Sequence, residues 1–242
     1  MGSSSESMSQ EACLLESLLQ ALTNTPELRT RPGSFFFAST AGAIYAGSTD
    51  GTITEQSSPM PGAPYGIGKL AQERLIAEWT STMDHTSVLI GRISTLYGRG
   101  QAPGKSQGLI SHIARCIIRD RPIHVFVPLD TIRDYLYVTD AAHDVACHLE
   151  ALEACRGVTM KIIAAEDSTT IAQIIGRFEQ ISHRKPLIVT GATPLGAQYL
   201  RRVCFRSVVP PLAKAPHRTS LFVGISEVMA HERLVFAAGR AG

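Results

Sequence analysis

The chain has no long apolar run and no leader-like start. None of its 242 residues fall in an apolar stretch close to the about 20 residues that a membrane-spanning helix requires. The first ten residues, MGSSSESMSQ, lack the basic and apolar segments of a secretory signal peptide. The sequence therefore gives no sign of a membrane or exported protein, and we expect a cytoplasmic location.

The sequence also lacks a cluster of metal ligands and a large excess of charge of one sign. The five cysteines are scattered without a C-x-x-C pair and the eight histidines are equally dispersed, so the sequence predicts neither a disulfide framework nor a metal site. The formal net charge of +2 gives no support for a nucleic-acid partner. With 44% hydrophobic and 18% charged residues, the composition is that of a soluble globular enzyme.

Helical and strand-like patterns alternate along the chain. Leu and Ala at helical spacing predict a helix over 8–22, and a second helix opens at Tyr65. Phe35–Ala38 and Ser87–Ile90 have the continuous apolar character of buried strands. Later segments continue the pattern, with helices over 106–119 and 169–181 and strands over 123–127 and 158–165. This alternation predicts an α/β protein with a parallel sheet and flanking helices.

Four side chains around the first strand suggest chemistry on an alcohol. Tyr65 and Lys69 are four residues apart at the start of a helix, so the phenol and the ammonium can share one face. A nearby lysine cation favours the phenolate and so lowers a tyrosine pKa from its usual value of about 10. Ser39 and Thr40 end the strand, and either hydroxyl can hydrogen-bond the same substrate oxygen; Thr40 is our first choice and Ser39 the second. Such a set can move a proton on or off an alcohol while a hydride leaves or joins its carbon.

The segment from Ser34 to Leu75 resembles the catalytic segment of a known family. Its Phe-rich strand, the Ser-Thr pair, Tyr45 and the proline directly before Tyr65 are similar to the NAD-dependent epimerase/dehydratase family, a branch of the extended short-chain dehydrogenase/reductases. The stretch GRISTLYGRGQ, from Gly91 to Gln101, resembles that family's R-x-x-x-x-Y-G-P-G-Q segment. A third stretch, TIRDYLYVTD from Thr131 to Asp140, resembles its R-D-Y-[IL]-[YH]-V-x-D motif.

The resemblance implies a cofactor, a substrate and individual roles. Tyr65 would deprotonate a sugar hydroxyl, and Lys69 would lower the Tyr65 pKa and orient the nicotinamide ribose. Ile93 and Ser94 would lie against the nicotinamide, although Ser94 stands where asparagine is common and Arg99 where proline is usual. The implied cofactor is NAD, with NADP left open, and the implied assembly is a homodimer.

The resemblance also implies a nucleotide-sugar substrate held by the second half of the chain. Arg133 would bind the diphosphate, because a planar guanidinium pairs well with phosphate oxygens, and Gln101 would also contact substrate. The alternative for Arg133 is a salt bridge to Asp130 or Asp134. We interpret Asp140 as a helix cap.

A glycine-rich turn for the cofactor's pyrophosphate is missing. No G-x-x-G-x-x-G precedes Ser34, and the chain begins about where the family's fourth helix begins, so we expect the first three strands to be absent. A late stretch, Pro186–Arg202, has only Gly191 and Gly196, five apart with Pro194 between them. We assign this stretch to the substrate lobe rather than to a displaced dinucleotide turn.

The predicted fold is therefore α/β, a partial Rossmann-like parallel sheet with flanking helices plus a small C-terminal substrate lobe. Residues 1–100 would be the remnant of the NAD-binding domain that carries the Tyr-x-x-x-Lys segment. Residues 101–242 would be mainly the substrate lobe, with 131–165 returning to the sheet. Three functions follow: an NAD-dependent nucleotide-sugar epimerase or dehydratase, a truncated non-catalytic relative, or a binding protein that uses a basic C-terminal face. That face would comprise Lys185, Arg201, Arg202, Arg206, Lys214 and Arg218.

Overall fold

The computed structural model describes residues 4–102, 108–152, 156–191, 202–210 and 218–239. The helices in these ranges are α1 (Ser5–Thr23), α2 (Pro26–Thr30), α3 (Ala41–Ile44), α4 (Pro64–Thr80), α5 (Leu109–Ile118), α6 (Val138–Leu152), α7 (Ile171–Ser182) and α8 (Leu221–Ala238). The strands are β1 (Gly33–Thr40), β2 (Thr86–Ile93), β3 (Thr95–Tyr97), β4 (Ile123–Val125), β5 (Ile132–Tyr137), β6 (Gly157–Ile163), β7 (Ser168–Thr170) and β8 (Ile188–Thr190). Of the helices in the described ranges, none has the length and apolar character needed to cross a membrane.

The chain forms two compact units, and the first comprises Met1–Ser94, Ala142–Ala164 and Phe205–Pro216. Its sheet is parallel, with strand order β1-β2-β6. The central strand β2 is buried along nearly its whole length, which explains why its sequence reads as a continuous apolar run. Helix α4 packs on this sheet and α1 packs on α4. The core between them comprises Leu19, Phe37, Ile76, Val88 and Ile90.

Glu55 fastens the loop between α3 and α4 to the rest of this unit. Its carboxylate accepts hydrogen bonds from the backbone N–H groups of Ile162 and Val208, both at 2.8 Å, and from the Ser207 hydroxyl at 2.6 Å. Partial burial acts to raise the pKa of Glu55, but these hydrogen bonds outweigh it and the pKa is lowered. The ionised Glu55 carboxylate thus holds the loop between α3 and α4 through these hydrogen bonds.

The second unit comprises Thr95–Ala141, Ala165–Cys204 and His217–Gly242. It contains the three strands β3-β5-β7, in which β7 is antiparallel to β5, and the parallel pair β4-β8. Helices α5, α7 and α8 pack together around its core. Residues such as Ile113, Ile174, Phe178 and Ile225 are fully buried there.

The predicted fold class is confirmed, and most predicted elements are found within a few residues of their expected bounds. Helix α7 begins at Ile171 rather than Thr169, because Ser168–Thr170 pairs with β5 and the Thr170 side chain caps the helix. The predicted domain boundaries stay a prediction. Pro194, Gly196, Arg201 and Lys214 lie outside the described residues.

Candidate active site

At the carboxyl ends of β1 and β2, four predicted site residues lie side by side: Ser39, Thr40, Ile93 and Ser94. The two strands are parallel, and their register pairs Ser39 with Arg92 and Thr40 with Ile93. Ser94 follows directly and its backbone N–H donates to the carbonyl of Ile163 on β6, at 2.9 Å. Ligands of open parallel sheets bind beyond this edge, so the expected hydroxyl groups lie where such a site is formed.

Tyr65 and Lys69 lie on the first turns of α4. The helix begins at Pro64, whose missing N–H costs nothing at a helix start and whose fixed φ suits it. Tyr65 is half-buried and Lys69 is buried. The Lys69 ammonium lies 5.0 Å from the centre of the Phe37 ring on β1, which brings this face of α4 to the strand that ends in Ser39 and Thr40. The two residues predicted to act as a pair therefore belong to the same unit as the strand ends.

The Lys69 ammonium is paired with a residue that the sequence analysis did not single out. Glu11, on α1, places its Oε1 2.5 Å from Lys69 Nζ. No sequence pattern marks Glu11, because it is one of several acidic residues on a helix predicted only from its leucine spacing. The contact between α1 and α4 could not be read from spacing.

The pKa of Tyr65 is raised, not lowered. Burial is the larger cause and the Glu11 carboxylate is the second. The expectation that Lys69 lowers this pKa is wrong in direction for the structure, because burial and the Glu11 carboxylate both favour the neutral phenol. Tyr65 is therefore a neutral phenol at neutral pH, able to donate its proton.

The two candidate hydroxyls at the end of β1 have different partners. Ser39 donates its proton to Glu73 Oε1 at 2.5 Å and is buried. Thr40 accepts a hydrogen bond from the backbone N–H of Ala43 at 3.4 Å, as the cap of α3, and this leaves its own O–H free to donate. The geometry therefore favours Thr40 over Ser39 as the donor to a substrate oxygen.

A buried charge network lies behind the strand ends, and the sequence analysis missed it. Arg92 contacts Glu73 through Nη2 at 2.6 Å and through Nε at 3.0 Å, and its Nη1 donates to the Tyr45 hydroxyl. Burial acts to lower the pKa of Arg92, but the pairing with Glu73 outweighs it, so the pKa is raised. Two sequence features could have indicated this network: the four-residue spacing that puts Lys69 and Glu73 on one face of α4, and the arginine in the Gly91–Gln101 segment.

The residues predicted to bind substrate belong to the second unit. Arg133 is half-buried, and its Nη1 donates to the carbonyl of Ile132 at 2.8 Å. The Gln101 amide packs against Gly108, where φ is +107° and no side chain stands in the way. Asp140 does not cap α6: its two carboxylate oxygens accept from the backbone N–H and the hydroxyl of Thr219, at 2.7 and 2.8 Å. Through the described part of the chain, no group of three or more metal-ligating side chains comes together.

Comparison with known proteins identifies the family. The fold defines a parallel α/β protein, and the family model described as the NAD dependent epimerase/dehydratase family matches residues 4–162. Because that match covers more than half of the sequence, the chain belongs to the NAD-dependent epimerase/dehydratase family.

Two curated relatives carry names of nucleotide-sugar enzymes. The chain is 29% identical over 152 residues to a dTDP-4-dehydro-6-deoxyglucose reductase of Escherichia coli, a match that covers 63% of this chain and 46% of the relative. Over 152 residues it is 28% identical to an uncharacterized UDP-glucose epimerase, YtcB, of Bacillus subtilis, with the same two coverages. The matched region thus spans less than half the length of these curated relatives.

A solved structure shares the fold. The UDP-glucuronic acid 4-epimerase of Bacillus cereus, in complex with UDP-glucuronic acid and NAD, superposes with a TM-score of 0.78 at 22% identity. The superposition covers 93% of this chain and 67% of that one. At this identity the likeness supports the fold alone.

The described residues fit one end of the family's cofactor. The Lys69 ammonium has three N–H groups, and the hydrogen bond to Glu11 uses one of them. The Ser94 Oγ is buried and has no hydrogen-bond partner among the described residues. These two groups fit the hydroxyls and amide of a nicotinamide riboside. In the described ranges, no glycine-rich turn joins a strand of β1-β2-β6 to a following helix.

Proposed function

We propose that this chain carries the proton-transfer residues of an NAD-dependent reaction on the sugar of a nucleotide sugar, as an epimerase, dehydratase or reductase. The observation that carries the proposal is the position of Tyr65 and Lys69 on one face of α4, in the unit where β1 ends in Thr40 and Ser94 directly follows β2. The hydroxyl groups of Thr40 and Ser94 both retain a proton to donate.

Tyr65 would exchange a proton with the sugar oxygen. As a neutral phenol it donates to a carbonyl oxygen while the adjoining carbon gains a hydride, and in the reverse direction its phenolate takes the proton of the sugar hydroxyl. Thr40 would donate a hydrogen bond to the same oxygen and stabilise the charge that develops on it. NAD, when bound, would supply the hydride acceptor and donor. Lys69 would hold the ribose with its two remaining N–H groups.

Arg133 would bind the diphosphate of the substrate. Its planar guanidinium is suited to pairing with phosphate oxygens, which supports this role. Gln101 would contact the substrate from the same unit. Of the residues of the alternative basic face, Lys185 and Arg202 fall in the second unit and Arg206 in the first.

We also propose a homodimer. Leu14 and Leu18 lie one helical turn apart on α1 and are 72% and 48% exposed, which supports an apolar interface on that helix. Sedimentation velocity tests this: Leu14→Lys should convert a dimer to a monomer, and a wild-type chain that stays monomeric at high concentration would contradict the proposal.

Turnover with a panel of UDP- and dTDP-sugars tests the catalytic proposal. The chain is incubated with NAD and each sugar, and products are separated by chromatography while NADH absorbance is followed. Tyr65→Phe should lower kcat by about 10²–10⁴-fold, since a positioned proton donor contributes that much. Thr40→Val should cost about 10²–10³-fold, and Ser39→Ala distinctly less.

Two results would count against the proposal. Turnover by Tyr65→Phe at the wild-type rate would remove Tyr65 from the reaction. A chain that neither turns over any sugar nor binds NAD at millimolar concentration would be the non-catalytic relative, with the family's fold and without its activity.

A further inference from the structure

Glu11 reaches the ammonium group of Lys69 from a neighbouring helix. Its Oε1 lies 2.5 Å from Lys69 Nζ, and the ring of Phe37 lies on another side of the ammonium at 5.0 Å. The Lys69 side chain is 11% exposed and that of Glu11 is 45% exposed. The lysine charge is therefore enclosed by an aromatic ring and by one carboxylate that solvent still reaches.

The helix packing brings Glu11 to this position. A Cβ on Gly68 would lie 2.7 Å from Cε and 3.0 Å from Cβ of Met8, so the glycine allows α1 to approach α4 closely. Met8 and Glu11 are three residues apart on one face of α1, and Gly68 directly precedes Lys69. At the other end of the helix pair, Trp79 Nε1 donates to Thr23 Oγ1 at 2.9 Å. The ion pair is thus built into the contact between two helices.

Three described charges near α4 besides Lys69 and Glu11 have partners of their own. Glu73, on α4 itself, is paired with Arg92 of β2, and Lys161 of β6 is held by a serine hydroxyl and a backbone carbonyl. On β1 the polar group that faces α4 is the Ser39 hydroxyl, bound to Glu73, and α3 carries no charged residue. Glu11 of α1 is therefore the charged group placed to act on Lys69 and Tyr65. The pKa of Tyr65 agrees, since it is raised by burial first and by Glu11 second.

We infer that Glu11 is a positioning residue: its carboxylate holds the Lys69 ammonium, one helical turn along α4 from Tyr65, and its negative charge sets the pH range in which Tyr65 exchanges its proton. Loss of the carboxylate would remove a negative charge that disfavours the phenolate and would leave the lysine ammonium without its ion-pair partner, and both changes favour the phenolate. The consequence for turnover rests on the proposed function. The consequence for the ionisation of Tyr65 in the free protein does not.

Titration of Tyr65 by NMR tests the inference. Tyrosine is isotope-labelled on the carbon that bears the hydroxyl, and the Tyr65 signal is assigned by its loss in Tyr65→Phe. In Glu11→Gln, Tyr65 should titrate at lower pH than in the wild type. In Glu11→Asp, which keeps the charge on a shorter side chain, Tyr65 should titrate at an intermediate pH. Glu16→Gln is the matched control, because Glu16 is an exposed residue of the same helix and should leave the titration unchanged.

The fluorescence of Trp79, recorded across the same pH range, shows whether the first unit remains folded. Identical titration of Tyr65 in wild type and in folded Glu11→Gln would overturn the inference. As a second measurement that does not need the high-pH range, the Lys69 ammonium signal should change in Glu11→Gln and not in Glu16→Gln; an unchanged signal would also overturn it.

In turnover assays, Glu11→Gln should move the limb of the kcat profile set by Tyr65 to lower pH while KM for the nucleotide sugar is retained. An unchanged profile in an active enzyme would refute the role of Glu11 in the reaction. If the wild type has no turnover but the NMR shift is seen, the proposed function fails and the positioning of Lys69 by Glu11 stands.

Discussion

Replacing Glu73 would break the buried charge network behind the strand ends. The side chains of Arg92 and Glu73 are 3% and 4% exposed, and two guanidinium nitrogens contact the carboxylate. Ser39 also donates to Glu73, and Arg92 donates to the Tyr45 hydroxyl. Glu73→Leu therefore leaves a buried guanidinium without its counter-ion.

The magnitude follows from burial. Removing one partner of a buried ion pair costs about 3–5 kcal/mol, because the remaining charge cannot be resolvated. Arg92→Met should cost a similar amount. In the double variant both charges are gone and only the Ser39 and Tyr45 hydroxyls lose a partner, so we expect a cost of about 1–3 kcal/mol, smaller than that of either single change. The two substitutions should thus be strongly non-additive.

Urea unfolding followed by tryptophan fluorescence measures these free energies in the relevant unit. The chain has one tryptophan, Trp79, and it lies on α4 with its ring 5.6 Å from that of Phe35. Its signal therefore reports on the first unit even if the second unfolds separately. A double variant as unstable as the sum of the two single variants would refute the reasoning, as would single variants that each cost less than about 1 kcal/mol.

Three further changes test other parts of the structure. Because the pKa of Glu55 is lowered, its charge stabilises the fold above the ordinary carboxyl value of about 4.5 and this stabilisation is lost as pH falls through the lower folded value. Glu55→Gln should therefore lower stability at neutral pH and flatten the acid limb of stability against pH; an unchanged limb would contradict this. Gly68→Ala should cost about 1–3 kcal/mol by pressing on Met8 and should move the Tyr65 titration to lower pH as Glu11→Gln does. If the Tyr65 titration does not move, the Glu11–Lys69 ion pair does not depend on the close contact between Gly68 and Met8. Arg133→Ala should raise KM for the nucleotide sugar about 30-fold at nearly constant kcat, corresponding to the loss of about 2 kcal/mol from a charge-assisted contact; a loss confined to kcat would argue against phosphate binding.

The sheet and its main helices were predictable from local patterns. The apolar run Val88–Ile90 within β2 marks a strand covered on both faces, and Pro64 marks the start of α4. The nearness of Thr40 to the start of the Gly91–Gln101 segment follows from topology, because the carboxyl ends of neighbouring parallel strands meet at one edge.

The charge partners within the site were not predictable from spacing. Glu11 and Lys69 are 58 positions apart, and their meeting depends on how closely α1 approaches Gly68. Ser39 and Thr40 are neighbours in sequence, but successive strand residues face opposite sides, so one meets Glu73 and the other caps α3. The raised pKa of Tyr65 was not predictable either, because its causes, burial first and the Glu11 carboxylate second, depend on tertiary packing.

Binding of NAD to the chain, measured by titration calorimetry, tests the central claim most directly, because it needs no knowledge of the sugar. We predict saturable binding by the wild type, weaker binding by Lys69→Met, and wild-type binding by Lys185→Met, which removes an exposed lysine of the second unit. Equal binding by wild type and Lys69→Met, or no saturable binding by the wild type, would contradict the assignment of Lys69 and Tyr65 to a nicotinamide site.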